Sequence, residues 1–356
     1  MPTEPLTSAD AGPSAGEAPS ADAAPGDRPR PGALLRLRAL LHLDQQYLPV
    51  VGSVVVLVLM LVVGGTRYDN FLSPLVLSNL LIDNSYMVVL AVGMTFVILT
   101  GGIDLSVGAV VALSGVLGAR MFESGYPAAV CLPVMVLVGA LLGVLAGVMV
   151  LVVEVEPFIA TLAVMFLARG LCYVIAPESV PIRADAITTL GTSRFGAGEW
   201  VITPSGIIAL VILGSAFFLL HYTRFGRTVY AIGEDEGSAR LMGLPVTVTK
   251  LGVYVLSGTC AGVAGLLFAI STRAGYSRNG IGMETTAIAA VVIGGTILTG
   301  GSGYVLGSLL GVLALGLIQT MITFEGTLSS WWTSIFIGTL LFLFVVLQRV
   351  IVLRRT

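Results

Sequence analysis

From Tyr47 almost to the C-terminus the chain runs through long apolar stretches separated by short breaks of Gly, Pro, Asn or charge, with none of the two-residue alternation of half-buried strands. A bilayer core about 30 Å thick takes roughly 20 apolar residues per helix. Stretches of that order recur ten times, at about 48–65, 75–100, 103–122, 127–152, 157–176, 202–221, 250–271, 285–300, 303–322 and 331–351. The pattern predicts an all-α, polytopic membrane protein and disfavours a β-barrel, whose strands alternate apolar and polar positions. Composition agrees: 56% of residues are hydrophobic and only 11% are charged, with a mean hydropathy of +0.98, outside the range of soluble domains. The 44 glycines suit close approach of helices in lipid.

Charge orients these spans. Eleven Lys and Arg residues fall on the side of the N-terminus and six on the other, with Arg169 left inside a span, so both termini are expected in the cytoplasm. Residues 1–46 are a separate zone, an Ala- and Pro-rich stretch too poor in large side chains to bury a core and expected to be disordered. It ends in a basic amphipathic segment, Leu34, Leu35, Leu37, Leu40 and Leu41 interleaved with Arg36 and Arg38, suited to the membrane surface. No short apolar region ends at a small-residue cleavage site, so this zone reads as a tail and not as a signal peptide. Residues 47–353 form the membrane domain. Its two long loops, 177–201 outside and 222–250 inside, are long enough to carry function.

One sequence occurs twice. Ile98-Leu99-Thr100-Gly101-Gly102 recurs as Ile297-Leu298-Thr299-Gly300-Gly301, another glycine follows at Gly108 and Gly307, and Ala91 matches Ala290. The simpler reading is two tight turns in which Gly ends a helix. The other is a pair of related helical hairpins, one per half, with glycine-broken helices beside a transport path.

Ionisable and amide groups in hydrocarbon each require a reason, because a charge at mid-helix costs on the order of 2.5–3.5 kcal/mol on insertion scales. The candidates are Asn79, Asp83, Asn84, Asp104, Arg169 and Glu284. Asn79 and Asp83 share a helical face at i, i+4, which should look inward. Asp104 and Glu284 stand where they can cap or open a helix. Arg169 can pair with Glu154 or Glu156, or extend toward the interface.

Most catalytic chemistry is missing. The sole lysine, Lys250, lies in no GxxxxGK[ST] stretch, so a phosphate loop of that kind is excluded. His42 and His221 have no metal-ligand company, and no HExxH, GxSxG or paired-carboxylate arrangement occurs. Cys131, Cys172 and Cys260 each sit in an apolar stretch without pairing spacing and read as core residues. A net charge of −2 suggests no nucleic-acid partner. No cofactor is expected on this chain.

Against this background the chain resembles the permease subunits of ribose-type sugar ABC importers. The resemblance covers about Tyr47 to Arg349 and is carried by Gly93-Met94-Thr95-Phe96 through Gly108, by Ala231-Ile232-Gly233 to Gly243, and by Ala287 through Thr296 to Gly303. It is most similar to the galactofuranose subtype, through Ile82-Asp83-Asn84, Glu178-Ser179-Val180-Pro181-Ile182, Thr272-Arg273-Ala274-Gly275-Tyr276 and Gly326 to Trp332. Two places depart from the family pattern: Gly233-Glu234-Asp235 stands for its usual Gly-Gly-Asn, and Glu284-Thr285-Thr286-Ala287-Ile288-Ala289 lacks its second carboxylate.

The resemblance implies a set of partners. An ATPase subunit, with tandem ATPase domains, uses ATP and Mg; an extracytoplasmic binding protein delivers the sugar; and a second permease subunit, paralogous or identical, completes the path. It also implies an ATPase-coupling segment in the inner loop. Asp235 to Met242 is expected to form a short helix with an acidic start and Gly243 as its end. On it, beside Ser238, the side chains of Ala239, Leu241 and Met242 would fill a groove on the partner, with Arg224, Arg227 and Arg240 offering ion pairs. A sugar path needs hydroxyl and amide partners, and the expected path residues are Asn79, Asp83, Asn84, Thr95, Asp104, Ser106, Glu284 and Thr285. The rival reading is a self-sufficient channel or secondary carrier.

Overall fold

The computed structural model describes residues 48–327, 329 and 331–353; the tail 1–46 lies outside the described residues. All ten apolar runs carry helix. They are α1 Leu48–Arg67, the pair α2 Pro74–Asp83 and α3 Ser85–Leu99, α4 Val107–Glu123, α5 Ala128–Leu151, α6 Pro157–Ile175, α8 Pro204–Tyr222, α11 Val246–Thr272, α12 Met283–Ile293, α13 Val305–Glu325 and α14 Trp331–Leu353. Among the described residues six helices are long and apolar enough to span a bilayer, and the bent pair α2–α3 makes a seventh. The protein is a multi-pass helical membrane protein.

Two runs depart most clearly from the simple spans expected. The stretch 75–100 breaks at Asn84, where α2 and α3 meet at 52°. The stretch 285–300 holds only the 11 residues of α12, about 16 Å of helix and too short to cross the bilayer.

Local sequence fixes the helix ends. Ser73, Thr203 and Thr223 each accept a backbone N–H three residues on, at Val76, Gly206 and Gly226, and Pro74, Pro157 and Pro204 occupy first helical positions where no N–H is needed. Gly326 ends α13 in the left-handed conformation.

The loops are more structured than expected. Asp185–Thr192 (α7) and the antiparallel hairpin β2 Phe195–Ala197 with β3 Trp200–Ile202 fill the loop between α6 and α8, and β1 Val180–Pro181 pairs with β4 Ala274–Gly275. Between α8 and α11 lie two helices, α9 Arg224–Glu234 and α10 Glu236–Leu241. The amphipathic α9 went unread in the sequence. It buries Val229 and Ile232 while Arg224 and Arg227 are exposed.

Helix α11 is the spine of the bundle, packed on α3, α4 and α5. Its seam with α5 is built from glycines. A Cβ at Gly258 would collide with the Gly139 carbonyl and the Gly143 backbone, and one at Gly139 would meet Gly258 and Gly262. With no hydrophobic drive between helices in lipid, such backbone contact supplies the dispersion that holds them. The three cysteines are free and buried, as their apolar surroundings implied.

Candidate functional site

The two copies of the repeated sequence meet at one end of the bundle. The Gly301 N–H donates to the Leu99 carbonyl at 3.0 Å, and the equivalent glycines Gly101 and Gly300 both take positive φ, 76° and 93°, which a residue with a Cβ rarely adopts. The following glycines are equivalent in packing as well: Gly108, at the start of α4, lies against the Gly280 carbonyl and Glu284, and Gly307, at the start of α13, lies against Gly294. Thr95 on α3 and Ser308 on α13 join the halves again, hydroxyl to hydroxyl at 2.7 Å.

Helix α9 is seated on this junction. Gly233 touches Leu99 and Gly301 so closely that a Cβ there would collide with both, and the Tyr230 hydroxyl donates to the Gly303 carbonyl at 2.7 Å. Asp235 then caps α10 by accepting the Ser238 N–H, and Gly243 closes the segment at φ 74°. Glu236 bridges Arg240 at 2.7 Å and Lys250 at 2.9 Å. Asp235 is held below the usual carboxylate range by the Ser238 N–H and then by its hydroxyl. For Glu236 partial burial favours the neutral acid, but Lys250 and Arg240 together outweigh it and its value is lowered.

One expectation for this segment needs correction. Ala239 is fully buried against Ile232 and Val246 and cannot enter a partner's groove, because the six-residue helix turns that face onto its own protein. Leu241 and Met242, 91% and 67% exposed, are the apolar pair it offers outward, beside exposed Arg224, Arg227, Ser238 and Arg240.

The intramembrane polar residues fall into three groups. Asn79, Asp83 and Asn84 line a cavity of about 360 Å³ between α2 and α13, facing Gln319, Thr320 and Thr323. Asn84 stands at the helix break, and its side-chain amide donates to the Leu80 carbonyl at 2.8 Å, a group the break leaves without its helical partner. Asp83 also borders a second cavity of about 250 Å³, lined by Ser85, Thr203, Ser205 and Ser271 among others. These volumes are at the scale of small-ligand sites.

Thr95, Asp104 and Ser106 form the second group and are almost wholly buried. The Asp104 carboxylate accepts the Ser106 N–H at 2.9 Å, the Ser106 hydroxyl at 2.6 Å and the Ser257 hydroxyl at 2.7 Å. It is not the cap of α4: the residue before Val107 is Ser106, and Asp104 acts as a tie to α11. Thr95 bonds to Ala91 and Ser308. In the isolated subunit none of the three lines an accessible wall.

Glu284 and Thr285 form the third group, just after a stretch around Arg273 and Arg278 that was expected outside the membrane. After α11 the chain re-enters the bundle along α4. Gly275 packs on Gly115, Val116 and Ala119, and Gly280 packs on Gly108, a descent of about 12 Å at the rise of an α-helix. Helix α12 therefore begins inside the bundle. Glu284, in its first turn, accepts the Gly282 N–H at 3.2 Å and touches Gly108 in the first turn of α4. One carboxylate thus lies at the positive ends of two helices, α4 and the short α12. Thr285 is exposed beside it. The signal for this re-entry was the glycine spacing Gly275, Gly280 and Gly282, which the sequence reading did not use. Arg169 is bound there too, to the carbonyls of Ser277 and Asn279, and not to Glu154 or Glu156. Among the described residues no His, Cys, Asp and Glu cluster suits a metal.

A helical bundle with a duplicated hairpin, a non-helical segment inside the membrane domain, polar cavities at broken helices and an amphipathic platform at one end is a transport permease. Residues 76–345 match the family described as branched-chain amino acid transport system / permease component. The chain belongs to that family. It is 46% identical over 288 residues to the inner membrane ABC transporter permease protein YjfF of Escherichia coli strain K12, covering 80% of this chain and 86% of that one. It is 40% identical over 317 residues to the fructose import permease protein FruG of Bifidobacterium longum, covering 87% and 93%, and 38% identical over 280 residues to the ribose import permease protein RbsC of E. coli strain K12, covering 78% and 87%. No solved structure matches.

Proposed function

We propose that this chain is the permease subunit of an ABC importer for a monosaccharide, galactofuranose or a related pentose or hexose, in the cytoplasmic membrane with both termini inside the cell. The similarity to fructose and ribose import permeases supports the sugar class. The polar, mostly uncharged walls around Asn79, Asn84, Gln319 and Thr320 suit hydroxyl-rich cargo. ATP and Mg are used by a partner ATPase, with tandem domains, that grips α10. An extracytoplasmic binding protein loads the opposite end, and a second permease subunit, identical or paralogous, closes the path along the surface that carries Glu284 and Thr285.

The observation that carries this reading is the seating of α9 on both glycine turns. A push on Leu241 and Met242 reaches, through Gly233, the ends from which both hairpins depart. A channel or secondary carrier has no use for such a platform. The test is sugar uptake into proteoliposomes holding the chain with its ATPase, second permease and binding protein. Uptake that requires ATP and each partner is expected. Comparable flux through the chain alone would overturn the proposal in favour of a self-sufficient carrier.

A further inference from the structure

The stretch Ala274–Gly282 leaves carbonyl groups without helical partners inside the membrane domain, where each must find a donor. Arg169, on α6, supplies donors for two of them. The Arg169 Nη1 donates to the carbonyls of Ser277 at 2.5 Å and Asn279 at 2.7 Å. In the other direction the Ser277 hydroxyl donates to the carbonyls of Cys172 and Ala176. The two carbonyls flank Arg278 in a turn closed by the Asn279 N–H on the Tyr276 carbonyl at 3.0 Å, and one nitrogen with two hydrogens holds both.

The position of Arg169 rules out simpler roles. It stands well inside α6, away from the helix ends where a long side chain reaches water. Among the described residues it makes no salt bridge, so its charge is answered by backbone dipoles. Only a short, tightly packed stretch separates this hold from the half-helix. Gly280 is pressed on Gly108, Gly282 precedes α12, and Glu284 bonds back to the Gly282 N–H.

We propose that Arg169 is a positioning residue for transport. By holding the Ser277 and Asn279 carbonyls it fixes the depth of the re-entrant segment, and with it the place of Glu284 and Thr285 against α4. This rests on the reading of Glu284 and Thr285 as part of the path.

The experiment uses the assembled transporter in proteoliposomes, with Thr285→Cys as a reporter for a membrane-impermeant thiol reagent; the three native cysteines are buried. Arg169→Met is expected to lower maximal uptake about tenfold and to shift the labelling rate at Thr285→Cys about threefold or more, because a supporting group lost at about 1 Å scale loosens the site it supports. The half-saturating concentration of loaded binding protein stays near the wild-type value. Arg169→Lys keeps the charge but not the planar fork, and recovers part of both readouts.

Uptake lost with labelling unchanged would overturn the positioning role. If Arg169→Met does not assemble, wild-type labelling and uptake in both Arg169→Lys and Ser277→Ala would overturn it equally. Shifted labelling with normal uptake would instead overturn the reading of Glu284 and Thr285 as path residues, and the proposal with it.

Discussion

The Gly301 amide donates to the Leu99 carbonyl across 3.0 Å, so the two copies of one five-residue sequence, far apart in the chain, are joined by a backbone hydrogen bond. Helix α9 lies on that joint through Gly233, whose missing side chain makes the contact possible. The joint gives the platform a route to both halves of the bundle. Gly233→Ala should therefore cost about 1–3 kcal/mol by overpacking and should impair transport more than its position on a surface helix suggests. Thermal unfolding in detergent and ATP-driven uptake check this; wild-type values for both would show that α9 does not bear on the joint.

Asn84 both repairs the helix break and faces the larger polar cavity. Asn84→Leu removes the bond to the Leu80 carbonyl, worth about 1 kcal/mol, and makes the cavity wall apolar. Sugar uptake should be lost while assembly with the other subunits, measured by copurification, is retained. Normal uptake would remove Asn84 from the path.

The Thr95–Ser308 pair is buried and bridges the halves, so its role should be structural. Thr95→Val leaves the Ser308 hydroxyl without its partner and is expected to cost about 1–3 kcal/mol. The order of preference among sugars should not change. An altered preference, measured by competition uptake, would place Thr95 in contact with substrate.

Arg240→Glu would set a second carboxylate one turn from Glu236, replacing an ion pair with repulsion on the helix that presents Leu241 and Met242. ATP hydrolysis should continue in the assembled complex while uptake falls. Tight coupling in the variant would exclude α10 as the docking element.

The same helix has a defined acid response. Asp235 and Glu236 both titrate below their ordinary values in the folded protein. Their stabilisation is therefore complete above the unfolded carboxylate pKa, about 4, and fades as pH falls through the lower folded values. Asp235→Asn, which caps comparably, should remove the share of that acid sensitivity due to Asp235, whereas Asp235→Ala should leave α10 unprotected at every pH. Amide exchange over residues 236–242, corrected for intrinsic rate, distinguishes the two.

Much of the architecture was legible from one-dimensional pattern because the bilayer is a severe solvent. Apolar length sets the helices, and Ser73, Thr203, Thr223 and Asp235 cap helices with side chains that hardly need tertiary context. The repeat was legible too, as was the short helix α10. The helix break at Asn84 was not, because Ile82-Asp83-Asn84 sits within a run long enough for one continuous span. Nor was the re-entry of Ala274–Gly282, whose polar and glycine-rich letters read equally well as an outer loop.

By itself, the sequence determined which segments must leave water and which short motifs stop or start them, since hydrocarbon tolerates no unpaired backbone and local caps act within one turn. Only the tertiary structure decided which polar groups line cavities and which tie helices together. That choice depends on partners distant in sequence: Asp104 is withdrawn by Ser257, Thr95 by Ser308 and Ala239 by Val246. Glu284, by contrast, is placed between two helix ends by a segment that Arg169 holds from another helix.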